Sequence, residues 1–258
     1  MKLSSIGSLI IVLIAASVTS CKKVISVDLN AASPRYVVEA NITDQPGPYL
    51  VKITRTVNFD ADNIYPAVSG AVVRITDNTT GQIDTLKETS PGNYNTTALT
   101  GTPGHKYQLY INASNNIFNA TSAMPLAVTL DSLYTQPSTF GRSISLVPSY
   151  TDPATKGNYY HFTEYINDTI SKNVFIRNDN LINGQVMKQT LGNGLRPGDF
   201  VVLSLECVDS VTYQYYYTLR LTENQNAATP ANPQTNLSGG ALGYFSAHTS
   251  STKSVRVP

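Results

Sequence analysis

The sequence predicts a mainly β protein, with an N-terminal antiparallel β-sandwich followed by a second β-rich domain that has at most one or two short helices. From residue 35 onward, short runs rich in Val, Ile, Thr, Tyr and Phe follow one another. Turn sequences such as DQPGP, DNTTG, SPGN and GTPG separate these runs, and they supply the backbone angles that tight turns need. About six or seven strands in roughly 90 residues are typical of a small sandwich.

The first 20 residues predict a lipoprotein signal peptide. A lysine precedes an apolar run from Ile6 to Val18, which is the layout of a secretory signal and is shorter than the roughly 20 residues that span a bilayer. The run leads into VTSC, which resembles a bacterial lipobox. In such signals the cysteine thiol receives a diacylglycerol and the chain is cut before it, so we expect lipidation of Cys21 and a tether over residues 21–34. The alternative is an ordinary signal peptide in which the cysteine falls at this position by chance.

Residues 35–124 predict the sandwich because apolar side chains alternate with polar ones, which is the period of a half-buried strand. No helical period competes in this region. The predicted strands are RYVVEANIT, YLVKITRTVNF, GAVVRITD, QIDTLKET, HKYQLYINA and IFNATSAM.

A domain boundary is expected at Pro125, which interrupts the pattern just before a new alternating run begins. Residues 125–258 then predict the second β-rich domain. Its predicted strands are SISLVPSY, NYYHFTEYI, ISKNVFIRN, GQVMKQTL and DFVVLSLECV.

The segment TYQYYYTLRLTE allows two interpretations. Its alternating apolar positions from Tyr213 to Leu221 are typical of a strand. Asp209 and Ser210, just before it, are suitable N-cap residues for a helix, which is the interpretation we favour. The polar sequence NQNAATPANPQTNLSGG follows and predicts a long loop suited to contact a partner.

Two resemblances refine these expectations. Glycines, prolines and tyrosines of the sandwich region fall where they do in carboxypeptidase-regulatory-like or transthyretin-like modules, which have an immunoglobulin-like sandwich; these residues are Gly70, Gly81, Gly92, Tyr94, Pro103, Gly104 and Tyr107. Over nearly its whole length the chain resembles the Bacteroidota lipoproteins called domain of unknown function 4249. The matching stretches include CKKVISVDL, RYVVEANITDQPGPYLVKITRT, DPATKGNYYHF, GLRPGDFVVLSLECVD and GGALGYFSAHT. This resemblance implies an association with a TonB-dependent outer-membrane transporter and supplies no catalytic residues.

The charge balance argues against a nucleic-acid partner. The chain has 18 Lys and Arg residues against 17 Asp and Glu residues, and loss of residues 1–20 would remove Lys2 and leave the two groups equal. A neutral chain lacks the basic surface that binding of nucleic acid requires. We therefore expect no nucleic-acid partner.

The sequence contains no recognisable catalytic or metal-binding arrangement. The three histidines, His105, His161 and His248, are isolated from one another, and no nucleophile elbow or phosphate-binding glycine loop occurs. Cys207 would have no partner if Cys21 carries lipid, and its alternating run predicts a buried thiol. We therefore expect no catalytic residue, no metal, no cofactor and no enzymatic activity. Two alternatives stay open. The first is hydrolase activity from acidic side chains of distant loops that come together in the fold, and the second is calcium binding at DADN or DNLING.

Tyrosine is unusually frequent, with 16 tyrosines and no tryptophan. Exposed tyrosines are common at protein interfaces and can stack on sugars. The predicted contacts with a ligand or partner are Tyr159, Tyr160, Tyr216 and Tyr244. The alternative is that these side chains simply pack on the sheets.

Four triplets of Asp, a hydroxyl residue and an aliphatic residue resemble O-glycosylation sites of Bacteroidota. The hydroxyl residues are Thr85, Ser132, Thr169 and Ser210. The alternative is that Asp-Ser and Asp-Thr pairs only begin or end strands and helices.

Together these observations predict a protein held in the bacterial outer membrane by its N-terminal lipid, facing either the cell surface or the periplasm. We expect a non-catalytic accessory or substrate-capture partner of a TonB-dependent transporter barrel. The alternative is an independent glycan-binding or adhesive module of the cell envelope.

Overall fold

The computed structural model describes five stretches of the chain, namely residues 33–58, 61–137, 143–188, 190–223 and 232–258. The chain divides into two units, Met1–Ser33 and Pro34–Pro258. The predicted signal peptide, Cys21 and nearly all of the predicted tether lie outside the described residues. The architecture below is that of the second unit.

The described residues contain seventeen strands and one helix, so the prediction of a mainly β protein is confirmed. The elements are β1 (Tyr36–Thr43), β2 (Leu50–Arg55), β3 (Val72–Asp77), β4 (Ile83–Thr85), β5 (Lys87–Ser90), β6 (Asn93–Asn95), β7 (Lys106–Ala113), β8 (Asn116–Ala123), β9 (Leu130–Pro137), β10 (Ile144–Thr151), β11 (Tyr159–Ile166), β12 (Thr169–Ile170), β13 (Phe175–Asn178), β14 (Val186–Lys188), β15 (Leu191–Leu195), β16 (Phe200–Val208), α1 (Ser210–Glu223) and β17 (Leu242–Arg256).

The strands form one large sheet and two smaller sheets. The large sheet has the order β12-β11-β16-β17-β1-β2-β6-β5, with β13 also paired to β11. One small sheet has the order β4-β3-β7-β8, and the other is β14-β10-β15 with β9 paired to β10. Each small sheet shares a buried core with a different part of the large one.

The first core lies between the β4-β3-β7-β8 sheet and the first part of the large sheet. Every second side chain of β1 is buried in this core. These side chains pack with buried side chains of the facing sheet, such as Ile75 and Leu109. Most of the side chains in this core come from residues 35–124, for which the sequence predicts a sandwich.

The second core lies between the β14-β10-β15 sheet and strands β11 and β16. Tyr160, Phe162, Leu203 and Leu205 are among its members. Cys207 also belongs to it and is buried, with 3% of its surface exposed. Burial raises the pKa of the Cys207 thiol, as expected for a thiol in apolar surroundings.

Strand β17 crosses the boundary predicted at residue 125. Its first part, Leu242–His248, runs parallel to β1, and its second part, Thr249–Arg256, runs antiparallel to β16. Phe245 and Ala247 are members of the first core although they lie near the C-terminus of the chain. The parts of the chain on both sides of residue 125 therefore contribute to the first core, and one long strand joins the two cores.

Close packing of β17 on β1 depends on Gly243. This residue has a φ of +92°, and a Cβ atom there would lie 1.9 Å from the carbonyl oxygen of Val38. Only glycine allows the two backbones to approach this closely.

The contested segment is a helix, which confirms the interpretation favoured from its N-cap. The Asp209 carboxylate accepts a hydrogen bond from the backbone N–H of Thr212 at 2.9 Å. Its other oxygen accepts bonds from the Ser122 hydroxyl and the Ala123 N–H of β8, each at 2.9 Å. Asp209 thus begins α1 and also ties it to the first sandwich. In the part of the chain that the structure describes, no helix is long and apolar enough to cross a membrane.

Candidate ligand-binding cleft

A cleft of about 480 Å³ opens beside α1, on the face of the large sheet that points away from both cores. We call this the outer face. Side chains of β1, β11, β16 and β17 reach the cleft from the sheet. Tyr215, Tyr216 and Leu219 of α1 form one wall, and residues 170–174 after β11 form another.

The cleft contains a hydrogen-bonded pair of a histidine and a carboxylate. His161 on β11 lies directly opposite Glu206 on β16 in the antiparallel register, and their Nδ1 and Oε2 atoms are 2.7 Å apart. Thr163 donates a hydrogen bond to the other carboxylate oxygen at 2.8 Å. Both oxygens of Glu206 are therefore engaged by neighbours on the adjacent strand.

The protonation states follow from these contacts. Burial alone would raise the pKa of Glu206, but the nearby His248 and the hydrogen bond from His161 outweigh it and lower the pKa to about 2. Since an ionised carboxylate only accepts hydrogen bonds, Nδ1 of His161 carries the proton of the bond between them. Burial lowers the pKa of His248, and the negative charge of Glu206 opposes this shift only in part.

Tyrosines from α1 and β17 cover this pair. The Tyr216 ring stacks on the His161 ring with their centroids 3.8 Å apart and their planes 5° from parallel. Tyr244 lies 5.4 Å from Tyr216 and 4.7 Å from Tyr215, measured between ring centroids. Asn41 of β1 donates a hydrogen bond to the Tyr244 hydroxyl at 3.2 Å.

The phenols of these tyrosines stay protonated. Burial raises the pKa of Tyr215 to about 12, and it raises the pKa values of Tyr216 and Tyr244 as well. The wall of the cleft therefore presents neutral hydroxyl groups beside the engaged carboxylate of Glu206. Glu39 and Glu164 also line the cleft, and burial raises the pKa of Glu164.

Of the four tyrosines predicted to contact a ligand or partner, the structure brings Tyr216 and Tyr244 together in the cleft. Tyr159 is half-buried, and its ring lies 5.0 Å from that of Tyr213 of α1. The prediction that Tyr160 contacts a ligand or partner is wrong, because Tyr160 is fully buried in the second core. Its hydroxyl donates a hydrogen bond to Asp152. The alternation of β11 sends Tyr160 to the core with Phe162 and leaves the odd-numbered positions for the outer face.

The four hydroxyl residues of the predicted glycosylation triplets are all exposed, namely Thr85, Ser132, Thr169 and Ser210. Thr85 lies on β4, at the edge of its sheet. The preceding Asp84 is buried and accepts backbone hydrogen bonds from Thr97, Ala98 and Leu99, each at 2.8 Å. Glycosylation at these positions stays a prediction.

Sequence reasoning missed the charged centre of the cleft. His161, His248 and Glu206 are far apart in sequence, and only the strand register brings them together. The alternation of β11 and of DFVVLSLECV predicts that His161 and Glu206 point away from the core, but it does not predict that they face each other. Among the described residues, no three His, Cys, Asp or Glu side chains form a group that could hold a metal ion.

Comparison with known proteins gives weak likenesses to solved structures and one family. A cytokine receptor complex matches with 9% sequence identity and a TM-score of 0.28, over 86% of this chain and 95% of that chain. A segment of two fibronectin type-III domains from chicken tenascin matches with 11% identity and a TM-score of 0.24, over 69% of this chain and 93% of that one. No curated protein matches the chain.

The family model described as "Domain of unknown function (DUF4249)" matches residues 22–254. This range includes α1, every residue of the cleft named above, and both cores except Val257 of the second core. The resemblance stated from the sequence is thereby confirmed at the level of the family, and the chain belongs to the DUF4249 family.

Proposed function

We propose that this protein is a lipid-anchored, non-catalytic binding protein of the bacterial outer membrane, which captures a ligand for a TonB-dependent transporter. The lipobox-like sequence before Cys21 supports the anchor, and the resemblance to Bacteroidota lipoproteins supports the transporter as a partner. Both supports come from the sequence.

The observation that carries the capture role is the cleft beside α1. Pockets that bind small ligands combine aromatic walls with a few fixed polar groups, and this cleft places Tyr216 and Tyr244 beside Asn41 and the pair of Glu206 and His161. These groups are already held in place by one another. A cleft that is ordered in advance loses less conformational entropy when it binds.

The state of Glu206 supports binding over catalysis. A carboxyl group that acts as a general acid or base needs a pKa near the working pH. The pKa of Glu206 is instead lowered, because the nearby histidines outweigh the effect of burial, and both its oxygens accept hydrogen bonds. Glu206 is therefore suited to fix the orientation of His161 and Thr163.

Affinity purification of the native lipidated protein from gently solubilised outer membranes tests this function. Partners are identified by mass spectrometry, and a stoichiometric TonB-dependent barrel is the expected result. A Cys21→Ser variant, which cannot receive the lipid, serves as the control and should be lost from the outer-membrane fraction. Recovery of the lipidated protein without any barrel would contradict the transporter role.

The second candidate is an independent glycan-binding or adhesive module. The specific observation in its favour is the cluster of aromatic side chains in the cleft, Tyr215, Tyr216 and Tyr244, since aromatic rings with a polar hydroxyl suit a ligand that has both apolar and hydroxyl surfaces. This candidate requires that the purified protein alone binds polysaccharide and that no barrel accompanies it from membranes.

A further inference from the structure

The outer face of the large sheet continues beyond the cleft as an exposed surface of hydroxyl and aromatic side chains. Thr163, Ser204 and Thr252 lie side by side on β11, β16 and β17, and the oxygens of Ser204 and Thr252 are 2.8 Å apart. Further along the same face, Tyr165 lies two residues beyond Thr163 and Phe200 lies four residues beyond Ser204, and each has 38% of its surface exposed. We call these five side chains the platform.

The platform and the cleft form one continuous surface. His161, Thr163 and Tyr165 point to the same side of β11, because alternate residues of a strand share a face. A strand rises about 3.4 Å per residue, so these positions cover about 14 Å from the charged pair to the exposed tyrosine. Tyr165 and Phe200 are diagonal neighbours across two strands, which is within reach of aromatic side chains.

The chemistry of the platform is neutral. Its members carry hydroxyl groups or aromatic rings and no carboxylate, ammonium or guanidinium. Arg256 lies over the Phe200 ring at 5.6 Å and bounds the platform on that side. At the rim of the cleft, Glu39 and Lys172 are exposed and opposite in charge, and Glu206 is already engaged by His161 and Thr163.

We propose that the cleft and the platform together bind a neutral oligosaccharide. A sugar ring has a face of C–H groups that packs on an aromatic ring and a rim of hydroxyl groups that exchange hydrogen bonds. Tyr165 and Phe200 offer the first kind of contact, and Ser204, Thr252 and Asn41 offer the second. This ligand class rests on the proposed function, because it is assigned to the same cleft.

The length of the surface sets the size of the ligand. A single sugar unit would contact either the tyrosines of the cleft or the aromatic side chains of the platform, whereas a short chain can contact both. The affinity should therefore increase with chain length until the ligand extends from Tyr216 to Tyr165, since each added contact strengthens binding without a new association cost.

The test uses the full-length lipidated protein in detergent micelles and isothermal titration calorimetry. The probes are neutral gluco-, manno- and xylo-oligosaccharides of increasing length, with polygalacturonate as the anionic probe and chitosan oligomers as the cationic one. At least one neutral series should bind, with an affinity that increases with length, and should bind more tightly than the charged probes. Binding of none of the neutral series, or tighter binding of a charged probe, would overturn the proposal.

Tyr165→Ala is the decisive variant, and the chain provides a matched control. Tyr134 on β9 also has 38% of its surface exposed, but it lies in a different sheet. Tyr165→Ala should weaken binding of the neutral probe about tenfold, the loss expected when an aromatic contact of the binding surface is removed. Tyr134→Ala should bind as the unmodified protein does. Equal affinity of both variants would overturn the platform as the binding surface.

A second variant guards against indirect effects of Tyr165→Ala. Thr252→Val keeps the shape of an exposed side chain and removes a hydroxyl of the platform, and we expect it to weaken binding without lowering the unfolding temperature. Unchanged binding by Thr252→Val would contradict the proposed hydrogen bonds between the platform hydroxyl groups and the sugar. Failure of the sugar titrations leaves the barrel purification unaffected, so the ligand class and the transporter partnership fail separately.

Discussion

The carboxylate of Glu206 lies inside the molecule with two histidines, and it accepts hydrogen bonds from His161 and Thr163. Removal of a carboxylate from water costs several kcal/mol unless good hydrogen bonds replace its hydration. Here both oxygens are satisfied, and the loss of Glu206 would leave the donors of His161 and Thr163 without this acceptor. The positions of His161 and Thr163 in the cleft therefore depend on the side chain of Glu206.

Replacement of Glu206 should destabilise the fold. We expect Glu206→Ala to lower the free energy of unfolding by about 2–4 kcal/mol, because two partly buried hydrogen bonds to a charged group are lost. Urea denaturation at neutral pH measures this. Glu39→Ala is the control, since its ion pair with Lys52 is long at 3.8 Å and half-exposed and should contribute less than about 1 kcal/mol. Equal effects of the two changes would contradict the structural role of Glu206.

The stability should fall on acidification in two steps. The pKa of His248 is lowered by burial. Below pH of about 6.5 the unfolded chain therefore binds a proton at this histidine more readily than the folded chain does, and the free energy of unfolding decreases. The pKa of Glu206 is lowered to about 2 because the nearby histidines outweigh the effect of burial, so its stabilisation is present at neutral pH and is lost as the pH falls from about 4.5 towards 2.

A His248→Gln variant isolates the first step. It has no imidazole to protonate, so its free energy of unfolding should change less between about pH 7 and pH 5 than that of the unmodified protein. His105→Gln is the control, because His105 contacts Asp77 on another sheet and should leave the His248 step in place. Identical pH profiles for the unmodified protein and His248→Gln would contradict this assignment.

The exposed triplet residue Thr85 provides a test of glycosylation. The intact mass of the native protein should exceed the lipid-modified mass by a glycan, and Thr85→Ala should remove all or part of that excess. Thr89→Ala is the control, since Thr89 is also exposed and follows Glu88 rather than an aspartate. An intact mass that shows only lipid-derived additions would contradict the prediction.

At the scale of elements, β17 is the strand on which the others depend. Its parallel pairing with β1 covers seven residue pairs from Val37 and Leu242 to Thr43 and His248, and its antiparallel pairing with β16 begins at the next residue. The close approach at Gly243 is the point where this pairing is most sensitive to sequence.

Gly243→Ala should prevent the protein from folding. The added methyl group would lie 1.9 Å from the Val38 carbonyl oxygen, and the backbones would have to separate. Gly240→Ala is a matched control, because Gly240 also has a positive φ, of +80°, and has open space around its Cβ position. We expect Gly240→Ala to cost only about 1–2 kcal/mol. Circular dichroism and urea denaturation compare the two variants, and a cooperative transition for Gly243→Ala close to that of Gly240→Ala would contradict the expected clash.

The sequence predicts elements well where alternation and turn residues agree. Most strands of the first sandwich coincide with predicted runs, and α1 follows from its N-cap. β6 lies in NYN directly after a turn sequence and is too short to show a period. The C-terminal AHTSSTKSVR has few apolar side chains. Its outer face carries hydroxyl groups, and its second half pairs with only one strand of its sheet, β16. Patterns of burial therefore did not reveal β17.

At the scale of the whole molecule, the two cores depend on a shared strand. The first core takes Leu237, Ala241, Phe245 and Ala247 from the C-terminal part of the chain. The predicted sandwich of residues 35–124 lacks all four. Short-range patterns cannot show this, since a parallel partner may come from any distance along the chain.

Residues 35–124 should therefore not fold on their own. We expect the isolated fragment to show no cooperative urea transition, because β1 lacks a neighbour and the core lacks Phe245. Residues 34–258 serve as the control and should unfold cooperatively. A cooperative transition and native-like near-ultraviolet circular dichroism for the fragment would show that the sandwich is independent of β17.

The candidate cleft could be predicted from the sequence only in part. Tyr216 and Tyr244 were identified by composition, since tyrosines in this number suggest a contact surface. The pairing of His161 with Glu206, and of Thr163 with Ser204, depends on the register between strands that are about 40 residues apart. That register follows from the packing of the complete second core.

The parallel pairing of β1 and β17 also determines how the molecule would respond to mechanical load. Tension applied between the N-terminal side of β1 and the C-terminal end of β17 pulls these two strands in opposite directions along their length. The hydrogen bonds between them are then loaded together in shear and not one after another, so the rate of forced unfolding should be low. A protein tethered through its N-terminal segment, and held elsewhere by a partner, would resist extraction at the junction of its two cores.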